Sequence, residues 1–229
     1  MKSYPRSTEV ATHDLLPYSS PVSRPSLADF KQLLATESHE VLVREHVFGG
    51  DPFAFDAWPY GWILLRKHLA DALRVVDSDI TLVGSGKLGF SLSPDTFGRQ
   101  FSDESDVDVI VVSADRFDAA WRALLEWHFP RRNEYSGEMQ VWARERRRDV
   151  FLGRFEPERL LPTGSVFREP PEFIRDLSAS WFNMFQGLGL IDARFASRKY
   201  VGRLYRTWDH ALLYHAEGLR EIRVRIERR

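Results

Sequence analysis

Asp106 and Asp108 flank a single valine in the run Ser105-Asp106-Val107-Asp108-Val109-Ile110-Val111-Val112. The run is too apolar for a half-exposed strand and predicts a central one. On a strand, positions i and i+2 share a face, so the two carboxylates stand side by side with their Cα atoms about 7 Å apart. Two acids held that close repel each other, and desolvation adds to the cost of ionising both. A divalent cation removes the conflict. Oxygen donors of this kind suit Mg²⁺, which is commonly held by one or two carboxylates together with substrate phosphates.

Upstream, Ile80-Thr81-Leu82-Val83 is a second short apolar run, and it stops at Gly84-Ser85-Gly86. A glycine turn after a strand lets the backbone approach a phosphate closely, with N–H groups and the Ser85 hydroxyl as donors. The turn and the paired acids together suit a nucleoside triphosphate: one side grips phosphates, the other places metal. Lys87 adjoins the turn and reads either as a further phosphate contact or as a solvated surface lysine. A P-loop is excluded, because the positions that need its first glycine and its Ser/Thr hold Thr81 and Leu88.

Leu82-Val83-Gly84-Ser85 followed by Asp106-Val107-Asp108 resembles the signature of the polymerase-β-like nucleotidyltransferase superfamily, over about residues 60–155. The fuller form, Gly84-Ser85-Gly86-Lys87-Leu88-Gly89-Phe90-Ser91-Leu92 with Ser105-Asp106-Val107-Asp108, is similar to nucleotidyltransferases of bacterial anti-phage defence systems. The resemblance implies that Gly84 and Ser85, with Lys87 beside them, bind nucleotide. It implies that Asp106 and Asp108 are catalytic and bind Mg²⁺ (Mn²⁺ is the alternative ion), with a third carboxylate on a later strand. Asp149, just before Val150-Phe151, is the choice for that third metal ligand and catalytic residue; Glu138 is the alternative.

The implied activity is metal-dependent, template-independent transfer of a nucleoside monophosphate from an NTP, ATP among them, or a dNTP to a hydroxyl. The product is an oligonucleotide, a cyclic nucleotide or a modified protein, made in anti-phage defence. Tyr200, Tyr205 and Tyr214 are candidate acceptors within the chain. The rival reading is a non-catalytic or regulatory module of the same fold that restrains a toxin or effector partner. A sugar-nucleotide transferase using Asp-x-Asp is a third reading, and the Gly-Ser turn argues against it. Twenty residues separate Ser85 from Asp106, longer than the superfamily's usual gap. The excess, about residues 94–101, predicts a lid or hairpin over the site.

The elements that must position these residues follow from periodicity. Ser26-Leu27-Ala28-Asp29 has the form of a capping box, and Leu27, Phe30, Leu33 and Leu34 then recur at helical spacing. Trp62, Leu65, Leu69, Leu73 and Val76 predict a helix over 60–76. Phe117, Trp121, Leu124, Leu125 and His128 predict one over 117–129. Segments 138–143 and 150–155 read as weaker strands separated by Arg144-Glu145-Arg146-Arg147-Arg148, a charged run that is either a solvated strand edge or a polyanion contact. Pro170-Pro171 opens a helix toward Gln186, and a last helix is expected from Arg198 to Arg220 or beyond. Trp121, Trp127, Trp142 and Trp181 read as core.

The order predicts an α/β (α+β) fold: a small mixed nucleotidyltransferase-type sheet flanked by helices, then a C-terminal helical region. The expected division is an N-terminal arm (1–25), a catalytic domain (26–160) and the helical region (161–229). From Asp192 onward there are ten Lys/Arg against five Asp/Glu. Arg198, Lys199, Arg203 and Arg206, with Tyr205 and Trp208 among them, read either as a polyanion-binding helix face or as aromatics packed inward with arginines in water.

Composition bounds the rest. The 229 residues are 43% hydrophobic and 28% charged, with a formal net charge of −1, so any basic site must be local. There is no cysteine, which excludes disulfides, thiolate metal sites and a cysteine nucleophile and suits a cytoplasmic location. No apolar run approaches the ~20 residues of a membrane helix, and Met1-Lys2-Ser3-Tyr4-Pro5 does not resemble a secretory leader, so no membrane partner is expected.

Overall fold

The computed structural model describes residues 23–133, 135, 137–161 and 170–228. Most of the expected N-terminal arm lies outside them. Helix α1 (Leu27–Thr36) starts at Ser26, whose side chain accepts from the Asp29 N–H while the Asp29 carboxylate accepts from the Ser26 N–H: the expected capping box. Phe30 and Leu34 are its buried pair. One-turn α2 (His39–Leu42) runs on into a π-helical turn, Val43–Phe48. Helix α3 (Pro59–Leu73) has proline in its first turn, buries Leu65, Leu69 and Leu73, and ends where Arg74 turns left-handed at φ 50°. Val76 therefore falls beyond the helix and is exposed.

Strand β1 (Ile80–Val83) leads through the Gly84 turn into one-turn α4 (Ser85–Leu88). Between α4 and strand β2 (Val107–Val112) lies a loop pinched by an antiparallel Phe90–Gln100 bridge. Helix α5 (Ala114–Arg131) follows, capped by Ser113. It buries Phe117, Ala120, Leu124 and Trp127, whereas Trp121 is exposed rather than core.

The next segment corrects the sequence reading. Residues 138–151 are one helix, α6 (Glu138–Phe151), and only Arg154–Phe155 form a strand, β3. The charged run is made of good helix formers, and the residues it buries, Met139, Trp142 and Ala143, repeat at three and four rather than two.

Helix α7 (Glu172–Gln186) and one-turn α8 (Leu188–Ile191) come next. The expected helix from Arg198 is instead strand β4 (Tyr200–Tyr205) followed by helix α9 (Trp208–Glu227), capped by Thr207. Here period two wins. Tyr200 and Leu204 enter one core cluster and Tyr205 the other. Gly202 lies so close to Trp181 that a Cβ there would stand 2.6 Å from its ring.

The result is an α+β fold with a mixed sheet in the order β1-β2-β4-β3, among the described residues. β1 and β2 pair antiparallel, β2 and β4 parallel, and β3 and β4 antiparallel. The C-terminal region is helical except for β4, which threads between β2 and β3, so it completes the sheet rather than following it. Among the described residues no helix is long and apolar enough to cross a membrane.

Candidate functional site

Asp108 pairs with Val83 across the antiparallel β1–β2 ladder, one residue before the Gly84 turn. Its neighbours in sequence, Val107 and Val109, are fully buried in the larger core cluster, so the carboxylate emerges on the opposite face. Gly84 adopts φ 68°, ψ −149°, a conformation that side chains other than glycine's rarely tolerate. A Cβ there would stand 3.0 Å from Asp108 Oδ2. The bend and the acid are thus in direct apposition, and glycine is required twice over: by its dihedral and by the carboxylate.

Burial pushes the Asp108 carboxyl up, and the neighbouring Asp106 pushes it further; Arg203 and Lys199 pull against them without restoring the ordinary value. Asp106 Oδ2 accepts from Lys199 Nζ at 3.0 Å, and Asp108 Oδ1 accepts from an Arg203 amine at 3.3 Å. Both bases come from the β4 segment, which the sequence presented as a helix face. Arg203 pairs with Ile110 across the parallel ladder, one step along the face from Asp108.

Ser85 is half-buried. Its carbonyl accepts from the Gly89 N–H. α4 has a single turn, too short for a helix dipole to add to the site. Lys87 is not a solvated lysine. It is 2% exposed, and its ammonium donates to the carbonyls of Phe48 and Gly50. Burial lowers its pKa to about 8. It fastens the loop after the π-helical turn to the back of α4, and a buried ammonium so engaged is not free for a phosphate.

The expected third carboxylate is not where the sequence put it. Asp149 sits on α6, not on a strand, with Oδ2 2.8 Å from Arg146. Burial raises its pKa despite that partner. Glu138 is an exposed residue in the first turn of α6. Among the described residues no set of three His, Asp or Glu gathers as a metal cage. The acid that does approach is Glu156, just past β3, which Arg203 Nε reaches at 3.5 Å. No local pattern marks Glu156; only the β3–β4 pairing brings it there.

The other expected features find plain roles. The long loop before β2 is tied down by an Arg225–Asp95 contact of 2.6 Å and by Leu27 packing at Gly98. Tyr200 and Tyr205 are buried and burial raises both hydroxyls, Tyr200 to about 12, so neither is an acceptor within reach of solvent. Tyr214 lies beneath the Arg154 guanidinium, 4.4 Å from its ring centre.

No protein-family model, curated protein or solved structure matches this chain. Any functional reading therefore rests on the apposition of the Asp108 carboxylate and the Gly84 bend.

Proposed function

We propose that the junction of the Gly84 bend and the paired aspartates is a nucleotidyltransferase site, in which Gly84 and Ser85 take the phosphates of a nucleoside triphosphate and Asp106 and Asp108 hold Mg²⁺. The observation that carries the reading is the apposition of the Asp108 carboxylate to the Gly84 bend at the end of two paired strands. The donor set fits the ion: two carboxylates, with substrate phosphates completing the shell, is an arrangement Mg²⁺ accepts. When bound, it would neutralise phosphate charge and favour ionisation of the attacking hydroxyl.

In such a transfer the hydroxyl oxygen of the acceptor joins the α-phosphorus. The bond to the bridging oxygen breaks, pyrophosphate leaves with the electron pair, and the hydroxyl proton passes to solvent. The chain's own contribution is positional. The Gly84 turn presents backbone with no side chain in the way, the Ser85 hydroxyl donates, and the buried ladder keeps Asp108 from swinging away. Lys199 and Arg203 hold the same acid oxygens that the ion needs, so an arriving divalent cation competes with two side-chain cations.

That competition supports a second reading, a non-catalytic module that restrains a protein partner and in which Lys199 and Arg203 permanently neutralise the two acids. Incubation with each labelled NTP and dNTP in Mg²⁺ separates the two. The transfer reading expects label in product with the wild type and none with an Asp106→Ala, Asp108→Ala double variant. Equal labelling by both proteins, or none by either, removes it. A role in anti-phage defence belongs to the same proposal and rests on the sequence resemblance.

A further inference from the structure

Glu156 is approached by three guanidiniums: Arg154 at 3.3 Å, Arg159 at 3.3 Å and Arg203 at 3.5 Å. Each meets it through one long contact. Elsewhere in the molecule arginines form short two-point forks, as Arg24 does on Asp56 at 2.6 and 2.7 Å and Arg194 on Asp192 at 2.6 and 2.9 Å. Charge-assisted bonds of full strength run about 2.7–2.9 Å, so the cluster around Glu156 is under-satisfied.

The three arginines make their ion pairs with two carboxylates, Glu156 and Asp108, and Asp149 adds a third negative charge within range of Arg154. Arg154 is further constrained: its guanidinium is stacked over Tyr214, and its Nε is buried without a hydrogen-bond partner among the described residues. Burial alone pushes the Glu156 carboxyl up, but the three guanidiniums outweigh it and hold it below the usual carboxylate range.

We propose that Arg154, Arg159 and Arg203 form a phosphate-binding subsite for a chain of phosphates, with Glu156 as an internal anion that an incoming phosphate displaces from the guanidiniums. Arg203 touches both Glu156 and Asp108, so the subsite adjoins the Asp108–Gly84 junction. The ligand class rests on reading that junction as a nucleotide site; the subsite itself does not depend on metal or on transfer. A triphosphate tail and a nucleic-acid strand present the same chemistry to these groups.

The test is binding of inorganic tripolyphosphate to the full chain in chelator-containing buffer, read by calorimetry. Arg159→Gln, at an exposed side chain, is expected to weaken binding about threefold, an ordinary value for one exposed charge pair. An Arg154→Gln, Arg159→Gln double variant weakens it further. Glu156→Gln is expected to tighten binding about threefold, since it removes the competing charge while keeping the side chain's size. Arg225→Gln, which disturbs only the distant Asp95 pair, leaves affinity unchanged.

A purely structural ion-pair network predicts the opposite for Glu156→Gln: earlier melting and no gain in affinity. Absence of wild-type binding, or a Glu156→Gln protein that binds no more tightly than the wild type, overturns the proposal. Competition by ATP but not by a single-stranded oligonucleotide identifies the tail of a nucleotide as the natural source; competition by the oligonucleotide identifies a strand. Loss of label transfer with these binding shifts intact counts against the transfer reading alone.

Discussion

The two faces of the β2–β4 pair are built from the same twelve residues and do different work. On one face Val107, Val109, Val111, Tyr200 and Leu204 are buried in the larger cluster with residues of α3, α5 and α7. On the other, Ile110, Val112 and Tyr205 anchor the strands in a smaller cluster with α1 and α9, while Asp108 and Arg203 stand among them as charges. Strand alternation puts an apolar layer on one side of the sheet and the charged pair on the other. Each side holds buried polar atoms without a hydrogen-bond partner among the described residues: the Tyr205 hydroxyl and His215 Nε2 on the mixed face, and Trp181 Nε1 in the larger cluster on the apolar one. Groups of that kind are destabilising unless another demand keeps them.

The sharpest way to break the comparison is to exchange the roles of the faces by mutation. Asp106→Ala with Asp108→Ala is expected to lower label transfer about a thousandfold, the scale of several kcal/mol of lost charge stabilisation, with thermal melting nearly unchanged. Leu204→Ala, on the apolar face, is expected to do the reverse: a loss of about 3 kcal/mol in denaturant unfolding, with unaltered transfer per folded molecule. If Leu204→Ala impairs transfer in the folded fraction, the division between faces is wrong.

Gly84→Ala probes the seam between the faces. The strained dihedral and the clash with the Asp108 carboxylate are expected to cost about 2 kcal/mol and to weaken triphosphate binding together. A pH-dependent test of the mixed face concerns His215, whose pKa burial lowers to about 3. The unfolded chain takes up this proton near pH 6.5, the folded chain only near 3. Stability contributed by neutral His215 is therefore complete above pH 6.5 and is lost as the pH falls toward 3, by about 1.4 kcal/mol per pH unit. His215→Phe is expected to flatten melting temperature against pH in that window; an unchanged slope would place the acid sensitivity elsewhere.

Local pattern carried the sequence reading as far as local pattern reaches. The Ser26 capping box, the Leu65-Leu69-Leu73 stripe, β1, β2 and the Gly84 bend are each specified within a few residues, and each is found as expected. Segment 138–151 failed because two short apolar groups were read at period two while their buried members follow the helical spacing. β4 failed because the arginines of 198–206 suggested a face, where the alternation of Tyr200, Gly202 and Leu204 was the stronger signal.

The site divided the same way. Its acids and its turn are local motifs. Its bases and the further acid Glu156 are not: Arg203 is 95 residues from Asp108 and 47 from Glu156, and the parallel β2–β4 and antiparallel β3–β4 ladders bring the three together. Lys87 shows the same limit of local pattern. Nothing near it in sequence announces the carbonyls of Phe48 and Gly50, 39 and 37 residues away, that receive its ammonium.

The most direct test of the central claim is a crystal structure of the full chain with a non-hydrolysable nucleoside triphosphate and Mg²⁺. The account predicts metal between Asp106 and Asp108, phosphates on the Gly84-Ser85 turn, and Lys199 and Arg203 moved off the acids. Nucleotide bound elsewhere, with both ion pairs intact and no metal at the aspartates, would contradict it.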